Sequence, residues 1–204
     1  MKESSRSTSA RQLLLTMLVR HSYNRAEYPK YRLTSGGVSD TYINCRATTT
    51  LADAGPLIGE LCASLVPAQA EGIGGMTMGA DPIAYAVSAY CKYVKGVTLN
   101  SFVVRKTPKG HGLNLFVEGT PGKRVVVVDD VVTTGASTIQ AIQRCRNEGI
   151  EVLAVIVLVD REEGGGLQAV QEAAGKDVPV HALFRKSELE KHFLSESADR
   201  TAAN

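Results

Sequence analysis

The sequence contains no tryptophan, and aromatic residues make up only 5% of it. That scarcity argues against the stacking platforms that hold single-stranded nucleic acid. A dominant charge is also lacking: 23 Lys and Arg face 21 Asp and Glu, leaving a net charge of +2. No overall attraction to nucleic acid or to an anionic membrane follows, so any basic site must be local. No apolar run approaches the roughly 20 residues that span a bilayer. The opening MKESSRSTSA is polar and no apolar segment of a secretory leader follows it. The four cysteines, Cys45, Cys62, Cys91 and Cys145, never form C-x-x-C. They read as reduced, buried thiols. The expectation is a soluble, cytoplasmic protein with neither nucleic acid nor membrane as partner.

What is present is a chain of 204 residues with 44% hydrophobic content, enough for one core. The predicted domain covers 9–194, with 1–8 and 195–204 as flexible polar tails. Helix and strand patterns alternate between them. Residues 11–23 read as a helix, as do 51–66 with apolar residues at helical spacing. A short strand is expected near Ile73. Asp81-Pro82 resembles an N-cap followed by a first-turn proline, opening a helix to about Lys95. SFVVRK (101–106) and NLFVEG (114–119) read as a hairpin, KRVVVVDD (123–130) and EVLAVIVLVD (151–160) as strands covered on both faces. Helices are expected at 137–149 and 165–175, a strand at 178–184, and a last helix at 186–193 opened by a Ser187–Glu190 capping box. This order implies an α/β fold with a mostly parallel central sheet flanked by helices.

In open α/β sheets, ligands bind beyond the carboxyl ends of the strands. There the sequence reads VVVVDDVVTTGAS (125–137). Val131, Val132, Thr133, Thr134, Gly135, Ala136 and Ser137 turn the chain from strand to helix. The unpaired N–H groups of a helix start, close backbone approach at Gly135 and the hydroxyls of Thr133, Thr134 and Ser137 make a phosphate cradle. Asp129 and Asp130 repel phosphate. They suit sugar hydroxyls, or a divalent cation held directly or through water. The implied ligand carries both a phosphate and a diol, and the string contains no Walker A Gly-Lys-Ser/Thr. A second stretch, EGIGGMTMGADP (71–82), places four glycines before a helix and offers a second anion site. In VVRKTPKGHGLNLF (103–116), Arg105, Lys106, Lys109 and His111 are concentrated with no acid among them. Pro108, Gly110 and Gly112 mark a flexible hairpin loop, read as a cationic lid over a polyanionic substrate.

The 125–137 string resembles the phosphoribosyl pyrophosphate signature of type I phosphoribosyltransferases. Three further blocks extend the likeness to the orotate phosphoribosyltransferase family, from about Tyr31 to Phe193. They are RLTSGGVSDTYINCR (32–46), the R-K-x-x-K-x-H of 105–111, and LVDREEGG (158–165). The resemblance implies the type I phosphoribosyltransferase fold, with a small N-terminal hood formed by about 9–46 plus a C-terminal part. It implies transfer of ribose 5-phosphate from phosphoribosyl pyrophosphate to orotate, giving orotidine 5′-phosphate in pyrimidine synthesis. Mg²⁺ would be bound mainly through substrate, with Asp129 and Asp130 nearby. By the same resemblance, Asp129 and Asp130 hold the ribose hydroxyls and residues 131–137 hold the 5-phosphate. Thr133 and Arg161 contact orotate, and Tyr42 stacks on the base. Lys106, Lys109 and His111 serve the leaving pyrophosphate. Lys106 acts in its own site, while Arg105, Lys109 and His111 reach a neighbouring subunit's site, which implies a homodimer with shared sites. Two family lysines are replaced, by Thr34 and Met78, putting more weight on the loop for charge neutralisation. Ile43 stands where a second aromatic often follows Tyr42. A purine or uracil phosphoribosyltransferase would share the acidic cradle but not the basic loop. A nucleic-acid-binding regulator on this fold would show an added DNA-binding domain or a basic face, and neither is visible.

Overall fold

The computed structural model describes residues 2–32, 37–108 and 115–202. The valine-rich segment forms the long central strand β8 (Arg124–Val132), flanked by β9 (Glu151–Asp160) and β5 (Gly72–Met76). With β6 (Asn100–Val104), β7 (Val117–Gly119) and β10 (Val180–Arg185) they form one six-stranded sheet, ordered β10-β9-β8-β5-β6-β7. All neighbours run parallel except the β6–β7 hairpin.

Strands buried on both faces need apolar residues at every position, and β8 supplies them. Val126 and Val128 face one core, Val125 and Val127 the other. A bulge opposite Val125/Val126 shifts the alternation in β9, so Val152 and Val155 lie in one core and Ala154 and Ile156 in the other. One face carries α3 (Ala54–Ala63) and α4 (Asp81–Tyr93), and α1 (Lys2–His21) packs on α3. The opposite face carries α5 (Ala136–Asn147) and α6 (Gly166–Ala174). All four cysteines are buried and free, as expected.

Two small antiparallel ribbons lie outside the main sheet, β1 (Tyr23–Arg25) with β4 (Thr41–Ile43) and β2 (Tyr31–Arg32) with β3 (Val38–Ser39). α1 and α7 (Lys186–Ala202) pack together beside them. Both helices extend into stretches expected to be loose ends. Neither 2–10 nor 195–202 contains Gly or Pro to stop a helix, and Glu196 accepts the Arg20 guanidinium at 2.7 Å.

Three local expectations are corrected. The helix predicted from Leu51 starts at Ala54, after a separate turn α2 (Arg46–Thr49). Pro56 explains this, because its ring clashes with the carbonyl four residues back and it has no N–H to donate there. The N-cap of α4 is Ala80 rather than Asp81, whose carboxylate instead accepts the Thr77 hydroxyl at 2.7 Å. At the start of α7 it is Glu188 that folds back, onto the Arg185 N–H at 2.9 Å. Glu190 pairs with Arg25 at 3.2 Å, and the Ser187 N–H goes to Glu162.

Candidate active site

After β5 the chain moves outward to β6 and β7, then returns to place β8 on the other side of β5. The connections that leave β5 and β8 therefore turn to opposite faces of the sheet, into α4 and α5, which opens a crevice at the topological switch point. A cavity of about 520 Å³ lies there, lined from β4 and α2, the β5–α4 turn, the root of the basic loop, β8 with the turn after it, and Arg161.

The two aspartates occupy different environments, because successive strand residues point to opposite faces. Asp129 is 3% exposed, and its Oδ2 accepts the hydroxyls of Ser137 at 2.7 Å and Thr138 at 2.6 Å. Burial raises its pKa despite those donors. Asp130 is half-buried beneath the β5–α4 turn, and a Cβ on Gly79 would lie 2.4 Å from its Oδ1. Its pKa is pushed up to about 7 by burial and by the neighbouring Asp129 charge, with Arg46 pulling it down. A cation beside this pair would offset both causes. Among the described residues, no cluster of three or more His, Cys, Asp or Glu side chains could cage a metal without help.

Gly135 is the N-cap of α5 in the left-handed region (φ 78°), and no side chain caps the helix. The first N–H groups of α5 thus remain available to an anion. Thr133 and Ser137 line the cavity, whereas Thr134 and Ala136 are exposed outside it. The Val132 side chain points into the core, but its carbonyl accepts the Arg161 N–H at 2.9 Å. That bond ties the end of β8 to the Asp-Arg segment. Close packing does the rest, since a Cβ on Gly166 would lie 2.3 Å from the Thr133 carbonyl.

Arg161 is buried and lines the cavity. It pairs with Glu163 at 3.1 Å, yet its Nε and Nη2 make no hydrogen bond. Glu163 is shared with Lys186 at 2.7 Å. A planar guanidinium that lines the cavity and that its own chain leaves short of hydrogen bonds is suited to a planar carboxylate.

Tyr42 lines the cavity, and its ring stacks on Tyr31 with centroids 5.6 Å apart. The second aromatic therefore comes from β2, while Ile43 is buried. Lys106 lines the cavity, but Arg105 turns to Glu118 at 3.3 Å. Lys109, His111 and Thr34 lie outside the described residues. Exposed Met78 borders the cavity without charge. Of the four glycines in 71–82, only Gly79 fronts the cavity. Gly72, Gly74 and Gly75 are packing glycines, and a Cβ on Gly75 would lie 2.0 Å from the Val128 carbonyl.

Sequence reasoning missed Arg32, Asn44, Cys45 and Arg46, all of which line the cavity. Arg32 and Arg46 end the 32–46 block and supply charge where Thr34 and Met78 do not. They add charge at the cavity beside that of the loop, on which the loss of the two family lysines was expected to put more weight. Thr138 was missed as well, although a hydroxyl next to Ser137 on a helix start was the available signal.

Residues 75–173 match the model of the phosphoribosyl transferase domain. A curated orotate phosphoribosyltransferase of Aquifex aeolicus is 40% identical over 182 residues, 88% of this chain and 97% of the relative. The chain belongs to the orotate phosphoribosyltransferase family. A second orotate phosphoribosyltransferase, from Streptomyces coelicolor, is 42% identical over 163 residues, 78% of this chain and 87% of that protein. The crystal structure of Mycobacterium tuberculosis orotate phosphoribosyltransferase with Fe(III) dicitrate superposes with a TM-score of 0.73 at 32% identity, covering 88% of this chain and 98% of that one. The same enzyme in complex with phosphoribosyl pyrophosphate gives 0.68 at 27% identity, covering 89% and 92%. The fold is thus the type I phosphoribosyltransferase fold inferred from the sequence. No helix among the described residues is long and apolar enough to cross a membrane.

Proposed function

We propose that this chain transfers ribose 5-phosphate from phosphoribosyl pyrophosphate to orotate, releasing pyrophosphate and forming orotidine 5′-phosphate in pyrimidine biosynthesis. The observation that carries the reading is the meeting of three features in one crevice: the uncapped start of α5, the Asp129–Asp130 pair, and buried Arg161 with unsatisfied donors. The start of α5 takes the 5-phosphate through residues 131–137. Asp130 accepts hydrogen bonds from the ribose hydroxyls, and Asp129 holds the cradle helix in place through Ser137 and Thr138. Arg161 forks onto the orotate carboxylate beside Thr133, and Tyr42, backed by Tyr31, packs on the base.

The bond from the anomeric carbon to pyrophosphate oxygen breaks, and its electron pair leaves with pyrophosphate. A ring nitrogen of orotate supplies the pair for the new bond and gives up its N–H proton to the released pyrophosphate or to solvent. Positive charge grows on the ribose and negative charge on the leaving group. Fixed cations aimed at that group stabilise the transition state more than the ground state. Lys106 supplies one such cation, and Lys109 and His111 supply others from the loop. We place Arg105 at a partner's cavity in a homodimer with shared sites; in its own chain it pairs with Glu118 and does not line the cavity. Mg²⁺ fits the donor set, because two adjacent carboxylates can share an ion with substrate phosphates but cannot enclose it. When bound, it supplies neutralisation of the pyrophosphate charge. We place the enzyme in the cytoplasm, as a single domain over 9–194.

The test mixes protein, Mg²⁺ and phosphoribosyl pyrophosphate with orotate, uracil or a purine base in separate assays. Loss of orotate absorbance with formation of its nucleotide is expected, with the other bases unreacted. Turnover of uracil or a purine in place of orotate would overturn the assignment.

A further inference from the structure

Helix α5 starts at the phosphate cradle and ends beneath the root of the basic loop. The β6–β7 ladder ends at the pair Val104 and Val117, one further bond runs from the Arg105 N–H to the Phe116 carbonyl at 2.9 Å, and none of these bonds reaches Lys106. Arg144, in the last turn of α5, holds it instead. Its Nη1 donates to the Arg105 carbonyl, and its Nη2 to the Lys106 carbonyl at 3.0 Å. The guanidinium lies over the Phe116 ring, 4.2 Å from its centre, with Nη1 3.5 Å from the Met76 sulfur. One helical turn further on, Glu148 accepts the N–H groups of Phe116 and Val117 at 2.7 and 3.1 Å. Both strands of the hairpin stem are therefore tied to the end of α5.

We propose that Arg144 is a positioning residue, which anchors the Arg105 and Lys106 carbonyls from the far end of the cradle helix and so presents the Lys106 ammonium to the cavity. This rests on the transferase reading given above. Ala136 and Arg144 are eight residues apart, about 12 Å along one rigid helix. A helix spans that distance without bending, so the anion cradle and the cation that faces the leaving group keep a fixed separation. Arg suits the position because a planar fork bonds two carbonyls at once and stacks on a ring, whereas a lysine offers one point charge. None of these contacts is made with substrate, so Arg144 acts through Lys106.

The test is a double-mutant cycle of Arg144→Ala, Lys106→Ala and the pair, with steady-state kinetics on orotate and calorimetric titration of phosphoribosyl pyrophosphate with Mg²⁺ and no base. Arg144→Ala should lower kcat on the order of 10- to 100-fold, as misplacing a catalytic group by about 1 Å does. The double variant should be no slower than Lys106→Ala within about twofold, because one variant removes what the other positions. A merely structural role would make the two losses multiply, and that result overturns the proposal, as does wild-type kcat in Arg144→Ala. Arg144→Lys, which keeps the charge without the fork, replaces Ala if a thermal scan shows the Ala variant unfolded. If the wild type leaves orotate unreacted, the transferase reading fails separately. The titration then decides: equal weakening by the two single variants and no further loss in the double supports Arg144, and independent losses refute it.

Discussion

Thr138→Val isolates the anchor of the cradle. The substitution keeps the side-chain shape and removes one hydroxyl, whose oxygen lies 2.6 Å from Asp129 Oδ2. Both residues are almost fully buried, at 1% and 3% exposure, so water cannot replace the lost donor. A hydrogen bond to a charged group contributes about 1.5–3 kcal/mol, and Ser137 still holds the same oxygen, so a loss of about 2 kcal/mol is expected. At about 2–4 °C per kcal/mol for a chain of this size, Tm should fall by about 4–8 °C. The sign with pH follows from the carboxylate. Burial already raises the pKa of Asp129, and removing a donor to its ionised form raises it further. Protonation at low pH weakens what Thr138 was stabilising, so the deficit should be larger at about pH 8 than at about pH 5. Thermal scans of the ligand-free protein at both pH values provide the assay. A Tm within about 1 °C of wild type at pH 8 would refute the anchoring role of Asp129.

Asp130 makes a complementary prediction in the metal-free protein. Its pKa rises on folding from the ordinary 3.8 to about 7, so its stabilising contribution is full below 3.8 and is lost as pH rises through about 7. Tm should therefore fall between about pH 4 and pH 7 and level off above, and Asp130→Asn should flatten that part of the profile. Gly79→Ala places a Cβ 2.4 Å from Asp130 Oδ1 and must displace it, so kcat/KM for phosphoribosyl pyrophosphate should drop on the order of 10- to 100-fold in steady-state assays. Arg161→Lys keeps the charge and loses the fork. The KM for orotate should rise about 10- to 100-fold, equivalent to about 1.5–3 kcal/mol, while the calorimetric affinity for phosphoribosyl pyrophosphate stays near wild type.

Much of the site is legible in the order of residues because its chemistry and its backbone are local. Residues 125–137 hold the strand, the carboxylates, the turn and the helix start in one stretch, and the geometry of a strand-to-helix turn follows from those residue types. The unequal aspartates were also within reach, since period-two alternation forbids adjacent strand residues from facing the same way. Arg32, Arg46 and Arg144 were not legible. Each is an ordinary exposed or helical arginine until a distant segment arrives beside it. The glycines of β5 mislead for the same reason: their need for space comes from Pro121, Phe102 and Val128, each well removed along the chain.

By itself the sequence determined the α/β order, the buried central strands and the position of the strand-to-helix turn after β8, because hydrophobic period and helix-start chemistry act over a few neighbouring residues. Only the tertiary structure decided that Asp129, while lining the cavity with Asp130, also braces the start of α5 through Ser137 and Thr138, that Arg161 lines the same cavity short of hydrogen bonds, and that one helix joins that start to the root of the basic loop. Those outcomes depend on which strand lies next to β8 and how closely the segments pack, and both are set by burial of the whole core.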